Sequence, residues 1–86
     1  MSRELTRLEL ARISGAKLRD LRGVRTLQEI ADQVGVSSMA ISQYERGERL
    51  PSPEMMVKLA KLFGQTVGSL FFTQEVSETL TDGSEK

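Results

Sequence analysis

Apolar residues recur every three or four positions along most of this chain, which is the spacing of one face of an α-helix. No segment alternates apolar and polar residues for long enough to predict a β-strand. The sequence therefore predicts an all-α fold, and the start and stop signals below divide it into five helices.

The first apolar pattern runs from Arg3 to Arg22 and is interrupted by Ser14 and Gly15. Either one long helix tolerates the glycine, or Ser14 caps a separate helix over residues 15–22. We favour the second interpretation. It divides the chain into a helical N-terminal extension over residues 1–14, a domain over residues 15–73 and a tail over residues 74–86.

Two short helices follow. Thr26 and Glu29 have the spacing of a capping box, which predicts that a helix begins there, and Gly35 ends it. Ser37 is a candidate N-cap for the third helix, which Gly47 ends. The apolar stripe of the second helix comprises Leu27, Ile30, Ala31 and Val34.

Ser52 is a candidate N-cap of the fourth helix, with Pro53 at the first helical position. Gly64 ends that helix, and Thr66 is a candidate N-cap for a short fifth helix. From Thr73 onward the chain is polar and acidic, which predicts a disordered tail.

Composition excludes several classes of function. The 86 residues predict one domain, and they include no cysteine and no histidine, so the common zinc sites and a histidine general base are ruled out. No phosphate-binding loop of the G-x-x-x-x-G-K-[ST] type is present. We expect no enzyme activity and no cofactor or metal. Since no apolar run approaches a membrane span, we expect no membrane association and a cytoplasmic protein.

Net charge is zero, but the charges are distributed unevenly. Residues 1–74 contain 11 lysines and arginines against eight acids, whereas residues 75–86 contain one lysine against four acids. A mildly basic body with an acidic tail is compatible with binding to nucleic acid.

The second and third helices have the residue types of a helix-turn-helix, two short helices joined by a tight turn. A small residue, Ala31, stands where the helices cross, and Gly35 can adopt the left-handed conformation of the turn. Val36, Ile41 and Tyr44 are placed to anchor the third helix from beneath. This core is more specific than a lone glycine motif, because several residue types recur at fixed offsets.

Residues from Gly15 to Phe71 resemble the phage repressor/Cro-like (XRE-type) helix-turn-helix family. The resemblance rests on "TLQEIADQVGVSSMAISQYERGERLPSPEMMVKLAKLFG" and "TVGSLF". It implies a compact five-helix, lambda-repressor-like domain that binds the major groove of double-stranded DNA through its third helix, as a homodimer.

The resemblance also implies site residues. Short polar side chains would meet base edges, and Gln43 could bond an adenine bidentately. Met39 could instead contact a partner protein, since methionine suits adaptable surfaces. The family often has glutamine where this chain has Leu27, so Gln28 or Arg25 would replace that phosphate contact. The implied base-contacting residues are Ser38, Met39, Ser42 and Gln43, and the implied phosphate-contacting residues are Ser37, Gln28, Arg46 and Arg49.

Two further expectations concern the rest of the domain. By resemblance, Arg19 matches the arginine that pairs with a glutamate late in helix three, here Glu45, although the turn before Thr26 departs from the family pattern by a residue. The candidate dimer interface is the end of helix five, and the alternative is Leu5 and Leu8 in the extension. The candidates at helix five are Leu70, Phe71 and Phe72.

The function implied by the resemblance is a sequence-specific transcriptional regulator, most often a repressor on a pseudo-palindromic operator. The alternative is an antitoxin or adaptor that mainly binds a partner protein, such as a toxin or another regulator.

Overall fold

A computed structural model of the chain describes residues 6–72, which form five α-helices and no strand. The helices are α1 (Arg7–Arg22), α2 (Leu27–Val34), α3 (Ser38–Glu45), α4 (Pro53–Phe63) and α5 (Val67–Phe71). The predicted all-α, five-helix fold is confirmed. Within residues 6–72, no helix is long and apolar enough to cross a membrane. The predicted acidic tail, Arg3 and Leu5 lie outside the described residues.

All five helices begin in the same way. A serine or threonine in extended conformation precedes each helix, and its hydroxyl accepts a hydrogen bond from the backbone N–H three residues later. Four of these caps were predicted. The fifth, Thr6, forms a reciprocal capping box with Glu9, and the same T-x-x-E spacing marks it in the sequence. The caps are Thr6, Thr26, Ser37, Ser52 and Thr66.

The core lies between the helix-turn-helix and the helices on either side of it. The predicted core and turn residues of the motif are placed as expected: Gly35 is left-handed, with φ 79°, Val36 packs against the core, and the other three are buried. The largest fully buried apolar side chains come from three different helices and belong to one cluster, so α2, α4 and α5 share one core. These side chains are Ile30, Leu59, Leu70 and Phe71.

The predicted break at Ser14 and Gly15 is wrong, because α1 runs without interruption through both residues. Ser14 does not cap a helix. Its buried hydroxyl donates within α1, to the carbonyl oxygen of Leu10 at 2.8 Å. Gly15 is present for a different reason. A Cβ atom there would lie 2.4 Å from the carbonyl oxygen of Tyr44 and 2.6 Å from that of Glu45.

Helix α1 therefore packs against the backbone at the carboxyl end of α3. Helix α1 also packs against α5. Lys17 in α1 donates from Nζ to the carbonyl oxygen of Ser69 in α5 at 2.8 Å. Residues 7–14 belong to the same rigid helix as residues 15–22 and extend the packed structure.

We expect Gly15→Ala to lower the free energy of unfolding by about 1–3 kcal/mol, because the new methyl group would push α1 away from the backbone of α3. Helix propensity acts in the opposite direction, since alanine is favoured over glycine by about 1 kcal/mol in a helix interior. The sign of the change in the free energy of unfolding therefore shows whether steric overlap with α3 or helix propensity is the larger effect. It is measured by urea denaturation with circular dichroism as the signal.

The matched control is Asp20→Ala, at an exposed position of the same helix. It should stabilise the domain by up to about 0.7 kcal/mol through helix propensity alone. Stabilisation by both substitutions would contradict the close packing of α1 on α3.

Candidate nucleic-acid interface

Helix α3 has one buried face and one uncharged outer face. Ala40, Ile41 and Tyr44 point into the core. The side chains predicted to contact bases occupy the other side: Met39 is 66% exposed, and the other three are partly exposed. The structure thus brings these residues together on one surface, composed of Ser38, Met39, Ser42 and Gln43, which we call the α3 outer face.

The amino end of α3 is capped by Ser37. Its hydroxyl accepts from the backbone N–H of Ala40 at 3.1 Å, so this side chain is engaged in the cap. The remaining N–H groups of the first turn have no partner four residues earlier within the helix, and they carry the positive end of the helix dipole. An anion such as a phosphate would be stabilised there.

The carboxyl end of α3 closes in a turn at Gly47. This residue has φ 72°, and its N–H donates to the carbonyl oxygen of Tyr44 at 3.2 Å. The N–H of Glu48 donates to the carbonyl oxygen of Gln43 at 3.0 Å, which completes a Schellman ending. A Cβ atom at position 47 would lie 2.8 Å from the Cα of Arg12 in α1. Only glycine fits both requirements.

This turn places Glu48 beside Arg46. Arg46 donates from Nε and Nη2 to the two carboxylate oxygens of Glu48, each at 3.0 Å, and from Nη1 to the hydroxyl of Ser42. The hydrogen bonds from Arg46 lower the pKa of Glu48, and those to Glu48 raise the pKa of Arg46. Both groups are therefore charged at neutral pH.

Arg49 is the second arginine at this end, and its contacts are weaker. Its guanidinium lies 5.9 Å from the centre of the Tyr44 ring, and its Nη1 is 3.5 Å from the side-chain oxygen of Gln43. Arg46 and Arg49 thus flank the α3 outer face with cationic groups, while the face itself carries none.

The start of α2 provides a further polar group. Gln28 is exposed and donates from Nε2 to Asp32 at 2.7 Å. Leu27 packs against the core, so this position offers no polar contact. Arg25, the other candidate, is exposed; its guanidinium lies 5.4 Å from the centre of the Phe63 ring and bonds to backbone carbonyls of α1.

The predicted Arg19–Glu45 pair is wrong, because Glu45 pairs with Arg22. Arg22 donates from Nε at 2.6 Å and from Nη2 at 3.0 Å to the two carboxylate oxygens. The side chains are 20% and 8% exposed, and the hydrogen bond to Glu45 raises the pKa of Arg22. Arg19 is exposed. Because α1 is continuous, Arg22, which lies three residues after Arg19, faces the end of α3.

The helix-turn-helix and the helices around it match a known protein family. The sequence profile of a helix-turn-helix family matches residues 16–70, which include the whole motif and the core helices around it. The chain belongs to this helix-turn-helix family.

Two curated relatives and one solved structure agree with this family. The transcriptional repressor RstR of the cryptic phage CTXphi, from Vibrio cholerae, is 37% identical over 73 residues, which are 83% of this chain and 61% of RstR. A second relative, an HTH-type transcriptional regulatory protein of Pyrococcus furiosus, is 37% identical over 57 residues, or 63% of this chain and 18% of that protein. This chain therefore spans about three-fifths of the first relative and about a fifth of the second.

The solved structure is that of the P22 c2 repressor protein in complex with synthetic operator 9T. It is 30% identical, has a TM-score of 0.68, and covers 71% of this chain and 96% of the solved one.

The dimer candidates of this helix-turn-helix chain differ in exposure. Leu70 and Phe71 are each 1% exposed within the domain, so they cannot also form a dimer surface unless the core opens. Phe72 is 42% exposed and Leu8 54% exposed. Phe72 is thus the exposed candidate at the end of helix five, and Leu8 is the exposed candidate of the alternative interface near the start of α1.

Sequence reasoning missed Arg22, Glu48 and the close approach of α1 to the end of α3 at two glycines, Gly15 and Gly47. Glu48 was visible as the acid two positions after Arg46. Gly15 was interpreted as a break and Gly47 as a helix end, but the close approach at each glycine had no local signal, because the atoms that exclude a side chain belong to distant parts of the chain.

We expect Arg22→Ala to lower the free energy of unfolding by about 2 kcal/mol, because the mostly buried carboxylate of Glu45 would lose two charge-assisted hydrogen bonds. Arg19→Ala is the control and should change it by less than about 0.5 kcal/mol. Urea denaturation of both variants checks this. A larger loss for Arg19→Ala than for Arg22→Ala would contradict the observed pair.

Proposed function

We propose that this chain is a sequence-specific DNA-binding transcriptional regulator that acts as a repressor. Helix α3 enters the major groove, where the uncharged α3 outer face meets base edges. The observation that carries this proposal is the division of the surface: the outer face has uncharged side chains, and among residues 6–72 the arginines Arg46 and Arg49 contact it from its carboxyl end. Groove-reading helices have this arrangement, since phosphates lie at the edges of the groove and bases within it.

The outer face offers one strong base contact and several weak ones. Gln43 can bond an adenine bidentately, which is worth about 1–3 kcal/mol of discrimination. Met39 can contact a thymine methyl group. Ser38 and Ser42 can bond several bases, so they discriminate less.

Phosphate contacts come from the N–H groups at the amino end of α3, near Ser37, and from Gln28 and Arg49. At the same end of α3 as Arg49, the side chain of Arg46 is held by Glu48 and Ser42. These contacts position the helix without reading sequence. A single domain with one strong base contact has modest specificity, so the protein binds as a homodimer to two half-sites. A two-fold dimer would place the half-sites about 34 Å apart, one turn of DNA.

The relatives support the proposal. RstR is by name a transcriptional repressor, and the P22 c2 repressor was solved in complex with an operator. The match covers 61% of RstR. The proposal therefore concerns the helix-turn-helix domain and not the rest of RstR.

The test is selection from a pool of random duplex DNA, followed by sequencing, at two salt concentrations. We expect a two-fold-symmetric motif to be enriched at both salt concentrations. Weak binding that is lost at moderate salt, with no enriched motif, would contradict the proposal and direct the search to a protein partner.

We expect Gln43→Ala to relax base preference at one position of each half-site by about 1–3 kcal/mol, because the bidentate contact is lost. Binding to a set of duplexes with single base-pair changes, measured by fluorescence anisotropy, checks this. Gln33→Ala, which removes an exposed glutamine of α2, is the control and should leave every preference unchanged. An unchanged preference in Gln43→Ala would remove Gln43 from the base-contacting set.

A further inference from the structure

The two arginines that follow α3 lie three positions apart but have different partners. Three nitrogens of Arg46 are engaged, two by the carboxylate of Glu48 and one by the hydroxyl of Ser42. Arg49 has only the 3.5 Å contact with Gln43 and the face of the Tyr44 ring. Within residues 6–72, no carboxylate lies within salt-bridge distance of Arg49.

This difference determines which arginine can attract a phosphate. Glu48 compensates the charge of Arg46 at 3.0 Å and occupies two of its donors in a fork. A phosphate that approaches Arg46 would meet the carboxylate of Glu48, which has the same charge sign and occupies two of the five N–H donors. Arg49 keeps an uncompensated charge and most of its donors, so it is the better phosphate ligand.

The contact between Arg46 and Ser42 changes which hydrogen bonds Ser42 can make to a base. A serine hydroxyl has one O–H donor and accepts through its lone pairs. Here the oxygen accepts from Arg46, and in the described part of the chain the hydroxyl hydrogen has no acceptor. The O–H is therefore available to donate to an acceptor outside the protein, while the guanidinium beside the oxygen disfavours the approach of a second donor.

Bases differ in whether they present a hydrogen-bond acceptor in the major groove. Guanine, thymine and adenine each present an acceptor there, whereas cytosine presents only its amino donor. A Ser42 held as a donor would favour the first three bases and disfavour cytosine. If the hydroxyl were free to rotate, it would accept from cytosine as readily as it donates to the others.

We propose that Glu48 is a positioning residue that withdraws Arg46 from the phosphates and holds it on Ser42, so that Arg46 contributes to base preference and Arg49 to phosphate attraction. This inference rests on the proposed function and replaces the sequence-based expectation that both arginines contact phosphates in the same way.

The first experiment compares Arg46→Ala with Arg49→Ala on the duplex selected by the wild-type protein. Arg49→Ala should weaken binding to all sequences alike and lower the slope of log affinity against log salt by about one. Arg46→Ala should leave the slope nearly unchanged. At the position that Ser42 faces, it should reduce discrimination against cytosine, by about three- to tenfold.

The second experiment removes the positioning group. Glu48→Ala frees Arg46 to bind a phosphate, so the salt slope should rise by about one and discrimination against cytosine should fall as in Arg46→Ala. Asp20→Ala removes the same charge from an exposed position of α1 and should change neither quantity. In the Arg46→Ala background, Glu48→Ala should have no further effect on base preference.

A third measurement needs no DNA. In the free protein, the Nε–H resonance of Arg46 in a nitrogen-15 NMR spectrum should be protected from exchange with water, and Glu48→Ala should remove the protection. The inference would be overturned if Arg46→Ala lowered the slope of log affinity against log salt as much as Arg49→Ala does and left base preference unchanged. That result would leave the proposed function standing. An unprotected Nε–H in the wild-type protein would also overturn it, whatever the DNA experiments show.

Discussion

Helix α1 lies directly on the backbone at the carboxyl end of α3, and this contact requires that position 15 carry no side chain. The same helix meets the end of α3 at two other points. Arg22 holds the carboxylate of Glu45, and the backbone of Arg12 lies against Gly47. Three contacts along one rigid helix therefore fix both the direction in which α3 ends and the path of the loop that follows it.

The surface proposed to read DNA depends on this support. Because Ala40, Ile41 and Tyr44 anchor α3 in the core and α1 holds its end, the α3 outer face has no packing role and can carry small polar groups. The turn at Gly47 then places the charged side chains beside that face instead of on it. Under the proposed function, this backbone geometry would separate base reading from phosphate attraction, and Glu48 would separate them further by compensating the charge of Arg46.

Local sequence signals predicted the parts of the fold that depend on neighbouring residues. The caps at Thr26 and Ser37, and the left-handed Gly35, follow from residues at most four positions apart. The interpretation of Gly15 as a break failed because its cause is a contact with a segment about 30 residues later. Arg19 was assigned to Glu45 by matching to the family, and the match failed because the partner of Glu45 depends on how α1 packs against α3. The family resemblance supplied the roles of the α3 residues, which composition and spacing alone leave undetermined.

The central claim is that the α3 outer face, with the loop after it, is the DNA-binding surface. The most direct measurement is a nitrogen-15 NMR titration of the whole chain with a duplex that carries the selected site. If this surface binds DNA, the largest shifts of backbone amides will fall on residues 37–43 and 46–49, with small shifts along α4 and α5. Shifts concentrated around Leu8 and Phe72, with α3 unaffected, would contradict it.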